Sequence, residues 1–552
     1  ATMLMSEFWL KAWAESDDQR DPTFLYVFMG LTAALVIIAT IRSVLFYDVN
    51  LRGASHLHDK SFLAVLRSPM AFFYSNPLGR ILNKFSSDLG QIDELLPVVL
   101  FDVVQLSFVS LASFIVVCIA IPWLALLSIP LVAAFMMLRN RFLASSRELK
   151  RLESINKSPV FAAFTAQLKG LVTIRAYGAE ERLKREFLGS LDNYGRAWFA
   201  WLIANRWIGF RLDMLSFTVL VFAAFGAVAT SDTIDPGLAG IALTYAIMLS
   251  GGFQYLVRQS ARAETMMTSV ERMLYYTTLP REGEWEDPPG TSLPANWPRN
   301  GSIEVKGLKA RYREDLPIVL KGLDFEVPSG CKVGVVGRTG SGKSSLLNAL
   351  LRLNQVVDGS IVIDDVDVLK VGLHTLRRQI AWIPQEPHLF TGTLRHNLDP
   401  FSTASDKDLW RALKAVQLDS TVKSLKGKLE AMVSDGGSNF SVGQRQLLSL
   451  ARAIISYSKV VVMDEATANI DLDTDSRIQT AIKDGDFKHC TILMIAHRIR
   501  TIADCDLIVV MDNGRVAECG SPVELASTQG SIFSSMVEAS GMSVQDLGRG
   551  NR

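Results

Sequence analysis

The alternation of apolar and polar positions divides the chain into two unlike parts. Long apolar runs with one or two charges each occupy residues 24–47, 95–120, 123–142, 207–230 and 237–258. Each is close to or above the ~20 residues that carry a helix across a bilayer. A shorter apolar stretch, Met3 to Ala14, precedes them and predicts the tail of one more spanning helix, its beginning cut away or held on another chain, for six crossings. Residues 139–196 instead repeat apolar positions every three or four residues among many charges, with Pro159 as their one proline, which predicts helices continuing out of the membrane. Past residue 301 the period shortens: Ser302–Val305, Phe325–Val327, Lys332–Val336 and Val460–Met463 read as strands of an α/β domain. Between the parts, Pro280 to Gly301 is too rich in proline and glycine for helix or strand and predicts a linker. The expected division is a membrane domain over 1–279, the linker over 280–301, the α/β domain over 302–541 and a tail over 542–552.

Charge orients the membrane part. Short loops rich in Lys and Arg stay cytoplasmic. Residues 48–94 carry Arg52, Lys60, Arg67, Arg80 and Lys84, and 139–206 is denser still. The connectors at 15–18 and 231–236 are acidic, so the basic loops and the α/β domain are expected in the cytosol of a multi-pass membrane protein. The Asn-x-Ser sequons at Asn156, Asn300 and Asn439 then lie on the cytosolic side, where glycosylation is not expected. A 49% hydrophobic share with 20% charge fits a bilayer partner. A formal net charge of +1 without a basic run argues against nucleic-acid binding. The five cysteines form no CxxC pair, and free buried thiols are expected.

Candidate chemistry follows one order in the α/β domain. The strand at Lys332–Val336 runs into GRTGSGKSS, residues Gly337, Arg338, Thr339, Gly340, Ser341, Gly342, Lys343, Ser344 and Ser345. Glycines there let the backbone curl so that its amides point at phosphate oxygens; Lys343 neutralises phosphate charge and the Ser344 hydroxyl suits Mg²⁺. The buried strand VVVM ends in Asp464 and Glu465, which places one carboxylate to hold Mg²⁺ through water and a second to orient and deprotonate an attacking water. ATP and Mg²⁺ are the expected cofactors.

With Gln385 in WIPQEPHLF, FSVGQ at Phe440–Gln444 and His497 in IAHRI, this ordered set resembles the ATP-binding-cassette (ABC) superfamily. The resemblance implies that Gln385 touches Mg²⁺ and transmits its state, that His497 contacts the γ-phosphate, and that Tyr312 in ARYRED stacks on adenine. Ala468–Asp471 is similar to the family's D-loop, with a departure at Asn469. FSVGQ departs from the usual signature at its first and third positions but keeps Ser441, Gly443 and Gln444. In the superfamily the signature serves ATP held by an opposing nucleotide domain, so the chain is expected to pair with a first half of the same transporter or with another half-transporter. FFYSNPLGRILNKFSSDLGQID (Phe72 to Asp93) and GLVTIRAYGAEERL (Gly170 to Leu183) resemble the intracellular loops of multidrug-resistance-associated proteins, the C subfamily of ABC exporters. A divergent signature with an intact Glu465 is similar to the second half of such an exporter. The implied fold is a six-helix α-helical transmembrane domain followed by an α/β P-loop ATPase.

Arg206, Trp207 and Arg211 open the fifth crossing, and Gln254, Tyr255 and Arg258 close the sixth. Ionisable groups inside spans are costly and usually face a cavity. By resemblance these six would line a substrate cavity, the arginines gripping an amphipathic organic anion. The arginines equally suit snorkelling to headgroups or pairing with Asp213. ATP-driven export is the expected function. An ATP-gated regulator or channel of the same subfamily is the alternative, since the two share every motif above.

Overall fold

The computed structural model describes residues 2–230, 234–290, 293–294, 296–465, 478–480, 482, 487–496, 499–544 and 547. The chain forms two compact units, residues 1–65 with 79–279 and residues 66–78 with 280–552.

The first unit is helical: α1 (Thr2–Ala14), α2 (Pro22–Leu66), then, past a short helix α3 (Met70–Ser75) that belongs to the second unit, α4 (Leu78–Asn83), α5 (Leu96–Ala120), α6 (Trp123–Lys169), α7 (Leu171–Tyr177), α8 (Glu180–Ala229) and α9 (Pro236–Thr277). Among the described residues five stretches are long and apolar enough to cross a membrane, and at most 28% of any apolar window is buried within the chain. The exposed apolar remainder therefore requires hydrocarbon or further protein around it. At 50 residues α8 is about 75 Å long, against a hydrocarbon core of about 30 Å. The charged half of α8 thus continues well past the bilayer, as the periodicity of 139–196 predicts. Small residues allow close helix approach: a Cβ on Gly226 of α8 would stand 2.4 Å from the Trp123 ring of α6. Between α4 and α5 two π-helical turns, Lys84–Asp88 and Gln91–Leu95, interrupt the regular helix. Asp88 there accepts from Arg272 of α9 at 2.6 and 3.1 Å, tying the irregular turns to α9.

The second unit is α/β. Strands β1 (Ile303–Arg311), β2 (Leu320–Val327), β4 (Gln355–Ile363) and β5 (Val366–Asp367) form an antiparallel sheet in the order β2-β1-β4-β5. Strands β3 (Lys332–Gly337), β6 (Ile380–Ile383), β9 (Val460–Asp464), β10 (Thr491–Ile495), β11 (Leu507–Asp512) and β12 (Arg515–Gly520) form a second sheet, ordered β12-β11-β3-β10-β9-β6. All its neighbours are parallel except β11 and β12. Two-residue β7 (Gly392–Thr393) and β8 (Met432–Val433) pair apart. Alternate side chains of a strand point to opposite faces, and β9 feeds both cores: Val460 and Val462 join one cluster, Val461 and Met463 the other. A strand buried on both faces must be apolar throughout, hence the uninterrupted VVVM.

Residues 280–301 contain no helix or strand among those described, as expected, yet they do not hang free. Arg377 donates two hydrogen bonds to Glu282, at 2.6 and 3.0 Å, and Asp287 accepts from the Gly372 amide and the Thr375 hydroxyl. The buried Trp297 indole donates to the Ile363 carbonyl. The segment is a strap packed on the α/β domain. It also holds residues 66–78, because the Arg67 guanidinium lies 4.7 Å over the Trp285 ring and the Arg67 carbonyl accepts from the Glu282 amide.

Candidate nucleotide-binding site

Sheet register assembles the site. Ile495 of β10 pairs with Val335 of β3 on one side and Asp464 of β9 on the other, so the loop after β3 and the carboxylates after β9 leave the same edge. Ligands bind at this carboxyl edge of parallel sheets. Gln385 follows β6, whose Ile383 pairs with Met463, and arrives beside Glu465.

Gly337 turns the chain out of β3 with φ of +150°, and a Cβ there would meet the Met511 carbonyl oxygen at 2.2 Å, so no other residue fits. Gly342, at φ of +105°, leads into the helix Lys343–Leu350. Its first amides face the loop, and Arg338, Thr339 and Gly340 form an exposed rim. Lys343 is buried, and its Nζ donates to the carbonyls of Gly337 and Arg338 at 2.9 and 3.1 Å. Burial pushes this ammonium below its ordinary pKa, while the Glu465 and Asp464 carboxylates pull the other way. Ser341 Oγ is buried with no hydrogen-bond partner among the described residues. A curled amide loop, a buried cation and an unsatisfied hydroxyl fit a polyphosphate.

Ser344 Oγ donates to Asp464 Oδ1 at 3.3 Å, so a hydroxyl and a carboxylate oxygen converge, a donor set suited to Mg²⁺ with phosphate and water completing the shell. Gln385 Nε2 donates to Glu465 Oε2 at 2.8 Å, which fixes the carboxylate. Glu465 itself has φ of +46°, a conformation that is uncommon and strained for a non-glycine residue. Tyr312 lies just past β1 with its hydroxyl 2.7 Å from Ser345 Oγ. The site thus joins Tyr312, residues 337–345, Gln385, Asp464 and Glu465. His497 and Ala468–Asp471 lie outside the described residues.

The signature residues stand apart from this group. Ser441 caps the helix Val442–Ile455: its Oγ accepts from the Gln444 amide at 3.2 Å, and Gln444 Oε1 accepts from the Ser441 amide at 3.0 Å. Ser441 is exposed, and its bonds run to Gln444 rather than to the 337–345 loop.

In the helical unit the six expected substrate contacts are not brought into one cluster, and Arg206 is exposed. Arg211 stacks over Trp207 at 4.0 Å, one helical turn away. Asn205, Gln254 and Arg258 line a small crevice with Gly209 and Leu212. Asp213 accepts from Gln254 Nε2 at 3.3 Å. Tyr255 donates to Asp102 at 3.0 Å, and Gln259 donates to the same oxygen at 2.8 Å. Asp102 was not anticipated; a lone carboxylate within the apolar run of α5 was the available signal. A larger cavity of about 410 Å³ between α5, α6, α8 and α9 is lined by none of the six but by apolar groups such as Phe114, Phe135 and Phe253.

Fold and site define an ABC transporter chain: residues 1–253 match the family "ABC transporter transmembrane region" and residues 320–468 the family "ABC transporter". The chain is homologous to ABC sub-family C proteins. It is 43% identical over 554 residues to human ATP-binding cassette sub-family C member 4, covering 98% of this chain and 41% of that protein. To rat sub-family C member 2 it is 40% identical over 543 residues, covering 97% and 35%. To a Drosophila melanogaster multidrug resistance-associated protein, lethal(2)03659, it is 43% identical over 522 residues, covering 94% and 38%. The chain therefore spans about two fifths or less of the length of these relatives.

Proposed function

We propose that the chain is the second half of an ATP-driven exporter of amphipathic organic anions, conjugates or drugs. Carrying this reading is the presence, on one chain, of five membrane-length helices and the cluster of Lys343, Ser344, Asp464, Glu465 and Gln385 at one sheet edge. The amides of Gly337–Ser345 and Lys343 bind the ATP phosphates, and Tyr312 offers its ring to adenine. Ser344 and Asp464, with Gln385 near them, would hold Mg²⁺. When bound, that ion neutralises phosphate charge. Glu465, held by Gln385, orients the attacking water and takes its proton. His497 completes the γ-phosphate contacts.

Ser441 and Gly443 serve ATP on a partner nucleotide domain, so two halves are needed for either site. The exposure of Ser441 and the run of its hydrogen bonds to Gln444 rather than to the 337–345 loop support this. The partner is the first half of the same transporter or another half-transporter, and the length of the relatives favours the former. The charge pattern of the loops favours a cytosolic nucleotide domain on a multi-pass chain. Arg206, Arg211 and Arg258 grip the anionic part of the substrate, with Trp207, Gln254 and Tyr255 beside them. The test is ATP-dependent uptake into inside-out vesicles with a first half supplied, recorded beside ion conductance. Saturable uptake that needs hydrolysis is the expected result. ATP-dependent conductance without uptake overturns export in favour of an ATP-gated channel.

A further inference from the structure

Tyr312 is held at two points, and only one of them belongs to the phosphate loop. Its hydroxyl meets Ser345 Oγ at 2.7 Å, and its ring takes an edge-on contact from Tyr74 of α3, with centroids 5.8 Å apart and planes at 75°. The next residue repeats the pairing, because Arg313 Nη1 donates to Ser75 Oγ at 2.7 Å while Nη2 binds Asp315. Two successive residues beside the site are thus pinned by two successive residues of α3. Within this unit the segment that leads into α3 is anchored independently of them, through the Arg67 contacts with Trp285 and Glu282.

We infer that Tyr74 is a positioning residue for the nucleotide base, orienting Tyr312 so that the base finds a fixed platform. The inference rests on the reading of Tyr312 as the adenine-stacking residue. A stacked base gains most from a ring that is already ordered, since the ordering cost is then met before binding. Phosphate binding belongs to Gly337–Ser345 and does not pass through Tyr74. Tyr74 therefore acts on the base alone, equally for ATP and ADP, and coupling is reciprocal: a bound base tightens α3. A relay that reads the γ-phosphate through Gln385 would instead separate ATP from ADP.

Equilibrium binding of ATP, ADP and inorganic tripolyphosphate to the full chain in nanodiscs tests this, with amide exchange over residues 67–78 as a second readout. An edge-on aromatic contact corresponds to roughly a 3- to 10-fold effect. Tyr74→Ala should weaken ATP and ADP by the same factor in that range and leave tripolyphosphate within twofold of the parent. Tyr74→Phe, which keeps the ring edge, should restore both nucleotides. ATP and ADP, but not tripolyphosphate, should slow exchange at 67–78 in the parent. Nucleotide affinities within twofold of the parent in Tyr74→Ala, unequal losses for ATP and ADP, or tripolyphosphate weakened in step overturns the inference. If Tyr312→Ala binds ATP as the parent does, the reading of Tyr312 has failed, a result distinct from intact nucleotide binding that ignores Tyr74.

Discussion

Replacing Glu465 by Gln separates chemistry from architecture at this site. The local frame survives the change: the Glu465 amide donates to the Ile495 carbonyl at 3.2 Å, and a Gln side chain still offers an oxygen to Gln385 Nε2. What weakens is a hydrogen bond to a charged acceptor, a difference of about 1 kcal/mol. In a domain of this size that lowers Tm by only about 2–4 °C. The chemical loss is larger, because a neutral amide cannot take the proton of water. General-base catalysis contributes ~10²- to 10⁴-fold, which adds about 2.7 to 5.5 kcal/mol to the barrier. With a first half present, steady-state ATPase should fall by that factor while ATP affinity stays within about threefold of the parent. Gln385→Ala is the control: it removes the hydrogen bond and keeps the carboxylate, so its loss should be clearly smaller. Turnover of Glu465→Gln within about threefold of the parent would refute the assignment of Glu465 as base. Equal losses in the two variants would assign the effect to positioning.

If the two sites are unequal and Ser441 completes the one that turns over more slowly, Ser441→Ala should reduce hydrolysis far less than Lys343→Ala; equal losses in an ATPase assay point to two equivalent sites. Arg206→Ala and Arg258→Ala should each weaken transport of anionic substrates by about 10- to 100-fold in apparent affinity, with basal ATPase intact. Unchanged Michaelis constants for anionic and neutral substrates alike would make these arginines membrane anchors. Asp364 is opposed by burial, but the amides of Gly301, Asn300 and Ser302 and the Ser302 hydroxyl outweigh it and hold its carboxyl below the usual range. A depressed folded-state pKa means stability that is present above the unfolded value of about 3.9 and lost as pH falls through the folded one. Asp364→Asn should therefore cost about 1.5–3 kcal/mol near neutral pH, with the gap to the parent closing below about pH 4 in urea titrations.

Strands β3 and β9, parts of β1 and β2, and the phosphate loop were legible in the sequence because their constraints are local, whereas the other strands were not named from it. VVVM at Val460–Met463 is apolar throughout since both faces are covered, and Gly337 is glycine since any Cβ meets the Met511 carbonyl. Composition at 280–301 indicated no helix or strand, but its packing depends on Arg377 and Gly372, 95 and 85 positions from their partners Glu282 and Asp287. Tyr74 was likewise hidden, because nothing local to α3 signals a residue beyond position 310. In the membrane unit the distant contacts change the chemistry as well as the packing. Arg206, Arg211 and Arg258 are conspicuous in sequence because each interrupts or borders an apolar run, and alone they describe a strongly cationic pocket. Folding brings in Asp102, which accepts from Tyr255 and Gln259 across 153 and 157 positions, and Asp213, which accepts from Gln254. Arg262 adds a further cation, its Nη1 donating to Gln259 Oε1 at 3.5 Å, so charges of both signs meet there. Two of the polar side chains expected to meet substrate, Gln254 and Tyr255, already spend a donor on those carboxylates. If the proposed anion binds there, it has to compete with Asp102 and Asp213 for the same donors, and vesicle uptake of singly against doubly charged anions measures that competition.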